Sequence, residues 1–161
     1  MREDQKYYTV RGYQLLRKNK KLLTSGMEDY LEMIYRNSIE AGYMRVNKLA
    51  EQLNVQPSSA TKMVQKLAGL GLIKYQKYGI IELTERGLDM GNFLLNRHKT
   101  LEKFLRFIGC IDVLSETELI EHSINIDTLK NIDSLNRFIE KNPSIQKKFE
   151  KFKEELNYGA I

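Results

Sequence analysis

Apolar positions recur at helical spacing along most of this chain and give way to a strand-like run in one place. Met27, Tyr30, Leu31, Ile34 and Tyr35 form the first apolar stripe. Ser25-Gly26-Met27-Glu28 has the S-x-x-E form of a capping box, so a helix is predicted to begin there. Asp29 and Glu32 share a face opposite the stripe. The core does not need them, which leaves them to water or to another part of the protein. After Gly42, the residues Val46, Leu49, Ala50 and Leu53 mark a short second helix, with Asn47 as its cap. Asn54-Val55-Gln56 reads as a tight turn. Pro57 suits the first position of a third helix, which runs through Met63, Val64 and Leu67 to Gly69 or Gly71. Two short helices joined by so short a turn form the helix-turn-helix pattern.

The period then changes. Residues 72–83, LIKYQKYGIIEL, are rich in strand formers around a glycine turn and predict a short hairpin, the wing of a winged helix. Thr84 is placed to cap a long helix whose stripe is Met90, Phe93, Leu94, Leu101, Phe104, Leu105 and Ile108, ending at Gly109. Three shorter helices follow, at about 115–124, 128–140 and 144–157, with Pro143 between the last two. Ile145, Phe149, Phe152 and Leu156 make a narrow seam suited to another helix or a partner chain. The fold class is therefore mainly α, an N-terminal winged helix-turn-helix with a small β-hairpin wing followed by an all-helical domain. The boundaries are a basic extension 1–24, a DNA-binding domain 25–88 and a helical domain 89–161.

A recognition helix needs short polar side chains near its N-terminus for base edges and flanking cations for phosphates. Gln56, Pro57, Ser58, Ser59, Thr61, Lys62, Gln65 and Lys66 supply that mix. On the hairpin, Lys74, Tyr75, Lys77 and Tyr78 are placed to reach the flanking backbone, Lys77 and Tyr78 foremost. Charge agrees with a polyanionic partner. The net excess is +5, and residues 1–24 hold all of it, with Arg2, Lys6, Arg11, Arg17, Lys18, Lys20 and Lys21 against Glu3 and Asp4. For this segment two readings stand, an arm on DNA phosphates and a solvated or self-packed tail. No apolar run approaches the roughly 20 residues of a membrane span, and no secretory signal opens the chain. The single cysteine, Cys110, excludes a disulfide framework and a cysteine zinc cage. A cytoplasmic protein is the reading.

The chain has two histidines. His98 lies at the border of the long helix's stripe. His122 follows Glu118 and Glu121 at helical spacing, which puts the three on one face. Imidazole and carboxylate oxygens suit a first-row divalent ion. Spacing alone does not bring these places together with Asp29 and Glu32, and a packed histidine beside a solvated acidic face accounts for the same residues.

Four stretches carry a resemblance: MEDYLEMIY at 27–35, PSSATKMVQKL at 57–67, Arg97-His98, and ELIEH at 118–122. Over about residues 25–142, in unbroken order, the chain resembles the diphtheria toxin repressor family and specifically its manganese-sensing branch. The resemblance implies metal ligands at Asp29, Glu32, His98, Glu118, Glu121 and His122, and it uses both histidines. In the family's iron-sensing branch, sulfur ligands stand where this chain has Asp29 and Glu118. A set of oxygen and nitrogen donors is harder and suits Mn²⁺, one or two per subunit, ahead of Fe²⁺. Cys110 falls on no ligand position and reads as a small buried hydrophobe.

The implied function is a metal-activated transcriptional repressor that binds a near-palindromic operator as a homodimer and controls metal-uptake genes. No membrane and no small organic substrate is implied. In that picture the carboxylates repel one another without metal, and a dication fixes the DNA-binding half against the dimerisation half. Three competing readings make different predictions. A winged-helix regulator not gated by metal binds DNA whether or not chelator is present. A metal-dependent hydrolase turns over phosphoester or peptide substrates, but the chain has no nucleophile motif or phosphate loop. An interaction protein binds no DNA sequence specifically.

Overall fold

The computed structural model describes residues 23–156, so the basic segment 1–24 lies, except for its last two residues, outside the described residues. The chain divides into two compact units between Asn96 and Arg97.

In the first unit, helix α1 (Ser25–Ala41) buries Met27, Tyr30, Leu31 and Ile34 on the predicted stripe. Its cap is one residue earlier than the capping-box reading placed it. Thr24 is the N-cap and its Oγ1 accepts from the Met27 amide at 3.3 Å, while Ser25 already sits in the first turn. The two-residue strand β1 (Met44–Arg45) follows, then α2 (Val46–Gln52) and α3 (Pro57–Gly69). Asn47 is not the cap of α2. The pairing of β1 into the sheet delivers the chain directly to Val46, and Arg45 occupies the cap position without a side-chain bond. Asn54, in the left-handed region at φ 52°, turns the chain between the two helices. Ala60, Val64 and Leu67 bury one side of α3, and Pro57 opens it as predicted.

The wing is an antiparallel pair, β2 (Ile73–Tyr75) and β3 (Ile80–Leu83), joined by a 3₁₀ turn at Lys77–Gly79. Its register is Ile73↔Leu83, Lys74↔Glu82 and Tyr75↔Ile81, and β1 adds on the other side of β3 to give the order β1-β3-β2. Helix α4 (Glu85–Ile108) starts where predicted, with Thr84 Oγ1 accepting from the Gly87 amide at 3.1 Å. Two of its glycines are there for closeness. A Cβ on Gly87 would lie 1.9 Å from the Leu72 carbonyl oxygen, and one on Gly91 would lie 2.5 Å from the Tyr35 Cβ.

In the second unit the later turns of α4 are joined by α5 (Val113–Glu121), α6 (Ile126–Lys141) and α7 (Pro143–Glu155). Side-chain caps set two of the starts: Asp112 accepts from the Ser115 amide and Asn125 from the Asp127 amide. Pro143 is the first residue of α7 and not a spacer before it. Asn136, buried on α6, donates to the Thr100 carbonyl at 2.8 Å. Of the apolar seam on α7, Phe149 stacks on Phe107 with centroids 5.0 Å apart, while Phe152 and Leu156 face solvent. Lys153 donates to the Ile108 carbonyl, the end of α4, at 2.6 Å. Cys110 is half-buried and not the interior hydrophobe its composition suggested, because it follows the left-handed Gly109 that leads the chain out of α4. Among the described residues no helix is long and apolar enough to cross a membrane.

Candidate functional site

Helix α3 presents two chemically distinct sides. Its buried Ala60, Val64 and Leu67 fix it to the unit, so the intervening positions must face out. Gln56, Pro57, Ser58, Ser59, Lys62, Gln65 and Lys66 are exposed, and Thr61 is half-buried. On the wing, Lys74, Lys77 and Tyr78 are exposed, Tyr78 to 88 % of its surface. Among the described residues, none of Lys62, Lys66, Lys74 and Lys77 is held in an ion pair. Every residue the sequence nominated for DNA therefore lies in reach of solvent, and no carboxylate among the described residues competes with a phosphate for these four ammonium groups. Tyr78 sits in the left-handed region at φ 63°, where a large L-residue is strained.

The ligand candidates are arranged differently. In the helical unit, His98 and Glu121 are both buried, and His98 Nδ1 lies 3.1 Å from Glu121 Oε2. A carboxylate oxygen accepts, so Nδ1 of His98 is the donor in this bond. The C-cap of α5 is His122, whose φ −79° and ψ −20° continue the helix by one residue and keep its ring beside Glu121, with Nε2 at 3.8 Å from Oε1. The other ring nitrogen, Nδ1, lies 3.3 Å from a terminal guanidinium nitrogen of the buried Arg97. Glu118, one turn before Glu121, is exposed. In the first unit Asp29 is exposed and Glu32 is buried, and Glu32 Oε1 accepts from Arg36 Nε at 3.0 Å and from its terminal nitrogen.

So the structure brings His98, Glu121 and His122 together within the helical unit. It also shows two residues that the sequence reading passed over, Arg36 and Arg97. Arg36 was findable, since it stands four residues after Glu32 on the same helix face. Arg97 stands beside His98 in the sequence but carries no periodicity signal of its own. The chemistry fits a hard or borderline divalent ion, because the donors are imidazole nitrogens and carboxylate oxygens with no sulfur among them.

Comparison with known proteins places these features. Residues 22–81 match the family model described as iron dependent repressor, N-terminal DNA binding domain. Residues 84–150 match the one described as iron dependent repressor, metal binding and dimerisation domain. The chain is 43% identical over 136 residues to the HTH-type transcriptional regulator MntR of Lysinibacillus sphaericus, covering 83% of this chain and 98% of that protein. It is 41% identical over 138 residues to the protein of the same name from Bacillus subtilis, covering 80% and 97%. Among solved structures, the metal-dependent transcriptional regulator MtsR aligns with a TM-score of 0.64 at 25% identity, over 72% of this chain and 55% of that one. The manganese regulator SloR aligns with a TM-score of 0.61 at 25% identity, over the same shares. This chain thus spans about half the length of those two structures. The matches bear out the resemblance drawn from the four sequence stretches.

Proposed function

The chain belongs to the iron-dependent repressor family, as a helix-turn-helix, metal-dependent transcriptional regulator and not an enzyme, and on that footing we propose that it is a repressor activated by Mn²⁺ in preference to Fe²⁺. The observation that carries the reading is the buried His98–Glu121 pair, an imidazole 3.1 Å from a carboxylate oxygen, with the ring of His122 beside the same carboxylate. The ligand set we propose is Asp29, Glu32, His98, Glu118, Glu121 and His122, for one or two ions per subunit. Its freedom from sulfur supports manganese, as does the likeness to the manganese regulator SloR. When bound, the ion supplies the two positive charges that let several carboxylates share one coordination sphere.

The chain's own residues do the rest. Glu121 fixes the ring of His98 and its tautomer. Gln56, Ser58, Ser59, Thr61 and Gln65 offer donors and acceptors to base edges, while Lys62, Lys66, Lys77 and Tyr78 hold the backbone. A homodimer would present two such helices to the half-sites of a near-palindromic operator. Metal and DNA that favour one conformation must tighten each other by an equal factor. Metal-uptake genes in the cytoplasm are the regulated targets in this reading.

The test is a DNA titration on the promoter of the organism's own manganese transporter, at fixed salt, with chelator, Mn²⁺ or anaerobic Fe²⁺. Binding should require metal, favour Mn²⁺, and be lost in a His98→Ala, Glu121→Ala variant. Tight binding that ignores chelator would leave a DNA-binding protein without the metal switch.

A further inference from the structure

The two histidines of the helical unit bond through Nδ1 to opposite kinds of partner. At His98 the partner is a carboxylate oxygen, which can only accept, so Nδ1 is the donor in that bond. At His122 the partner is the guanidinium of Arg97, which can only donate. Nδ1 of His122 must therefore be the acceptor, and the single proton of the neutral ring must sit on Nε2. Neither nitrogen of that ring has a lone pair to give while the bond to Arg97 is made.

We propose that Arg97 is an internal competitor for the metal site: a built-in cation that holds His122 in a non-coordinating state and must be displaced before His122 can act as a ligand. The inference rests on the metal reading above. It follows from the ring chemistry whichever nitrogen binds. Coordination through Nδ1 replaces the guanidinium hydrogen with the metal and leaves the proton on Nε2. Coordination through Nε2 needs that proton to move to Nδ1, where it meets an N–H of Arg97, and the hydrogen bond is lost again. No proton leaves the ring in either route. The placement is specific. Arg97 is 4 % exposed and next in sequence to His98, so one turn of α4 holds both one proposed ligand and the cation that engages the other histidine. The competitor is a buried side chain of the protein and not an ion from solvent. It sets the threshold of Mn²⁺ above which the site fills.

Two measurements test this. The first needs no variant: long-range ¹⁵N–¹H correlation spectra of histidine-labelled, metal-free protein. The expected result is His98 protonated on Nδ1 and His122 protonated on Nε2, and a His122 proton on Nδ1 would overturn the proposal. The second is titration with MnCl₂, followed by loss of the free-ion electron paramagnetic resonance signal, for the wild-type protein and for Arg97→Met. Methionine keeps much of the unbranched stem and removes the donor and the charge. Removing a charged hydrogen bond that the metal must break should tighten Mn²⁺ binding by about tenfold or more. Equal or weaker binding by a folded Arg97→Met protein would overturn the proposal and leave the metal reading intact. Failure of the wild-type protein to bind Mn²⁺ would remove both.

Discussion

The DNA-facing surface and the helical cluster solve opposite problems. On α3 and the wing, the side chains proposed for DNA are exposed except for the half-buried Thr61, and the packing lies beneath them in Ala60, Val64 and Leu67. Around His98 and Glu121 the functional side chains are themselves buried and already bonded. A polyanion meets a surface that has given up nothing in advance, because water and small ions are its only competitors. A metal meets groups that the protein has already satisfied, since a buried polar atom left unpaired costs about 1–3 kcal/mol. In the function proposed above, affinity for DNA is set by what the surface offers, and affinity for metal by what the site must release.

That contrast can be broken most severely at the cluster. His98→Ala should abolish the metal response of operator binding altogether while leaving weak, salt-sensitive binding to any duplex. Fluorescence anisotropy with and without Mn²⁺ reads both. Gly87→Ala should come next, because a methyl group 1.9 Å from the Leu72 carbonyl oxygen forces α4 away from the chain entering the wing. We expect a loss of stability of about 3 kcal/mol in urea denaturation, the upper end of ordinary overpacking. A change under 1 kcal/mol would show that the close approach is not structural.

The DNA surface should give smaller, graded effects. Lys66→Gln should weaken binding to all sequences alike and lower the salt slope of log K by about one, as expected for a single phosphate contact. A sequence-selective loss would instead put Lys66 on a base. The smallest effect is expected at the wing. Tyr78→Gly relieves a left-handed conformation that costs an L-residue roughly 1–2 kcal/mol, so the variant should be more stable yet bind the operator less tightly. A gain in stability with unchanged DNA affinity would make the exposed ring incidental.

Sequence periodicity carried the helix-turn-helix, the hairpin and the long helix, because each rests on local signals: Pro57 at a helix start, a glycine turn between β-branched runs, Thr84 before a long apolar stripe. The first cap was misplaced by one residue because Thr24 and Ser25 are both competent caps, and local chemistry does not choose between them. Strand β1 was not legible at all. Two residues are too few for a period, and their only reason to be extended is a partner, β3, far along the chain. The polar interior was half legible. Glu121 and His122 were visible as a face, but what fills the hydrogen bonds of a buried group depends on tertiary neighbours, so the guanidinium on His122 had no sequence signature.

Helix α7 leads to a different kind of consequence. None of its residues is buried, and its ties to α4 include a ring stack at Phe149 and an ammonium, Lys153, set at the negative end of the α4 dipole. Local opening free energy follows the apolar contact a segment would lose, so this helix should be the first to come away and the last to dock. In hydrogen exchange its amides should trade within the time that those of α1 and α4 stay protected. The protein would then lose this helix as a separate, early step, well before the buried His98–Glu121 pair or the outer face of α3 is disturbed.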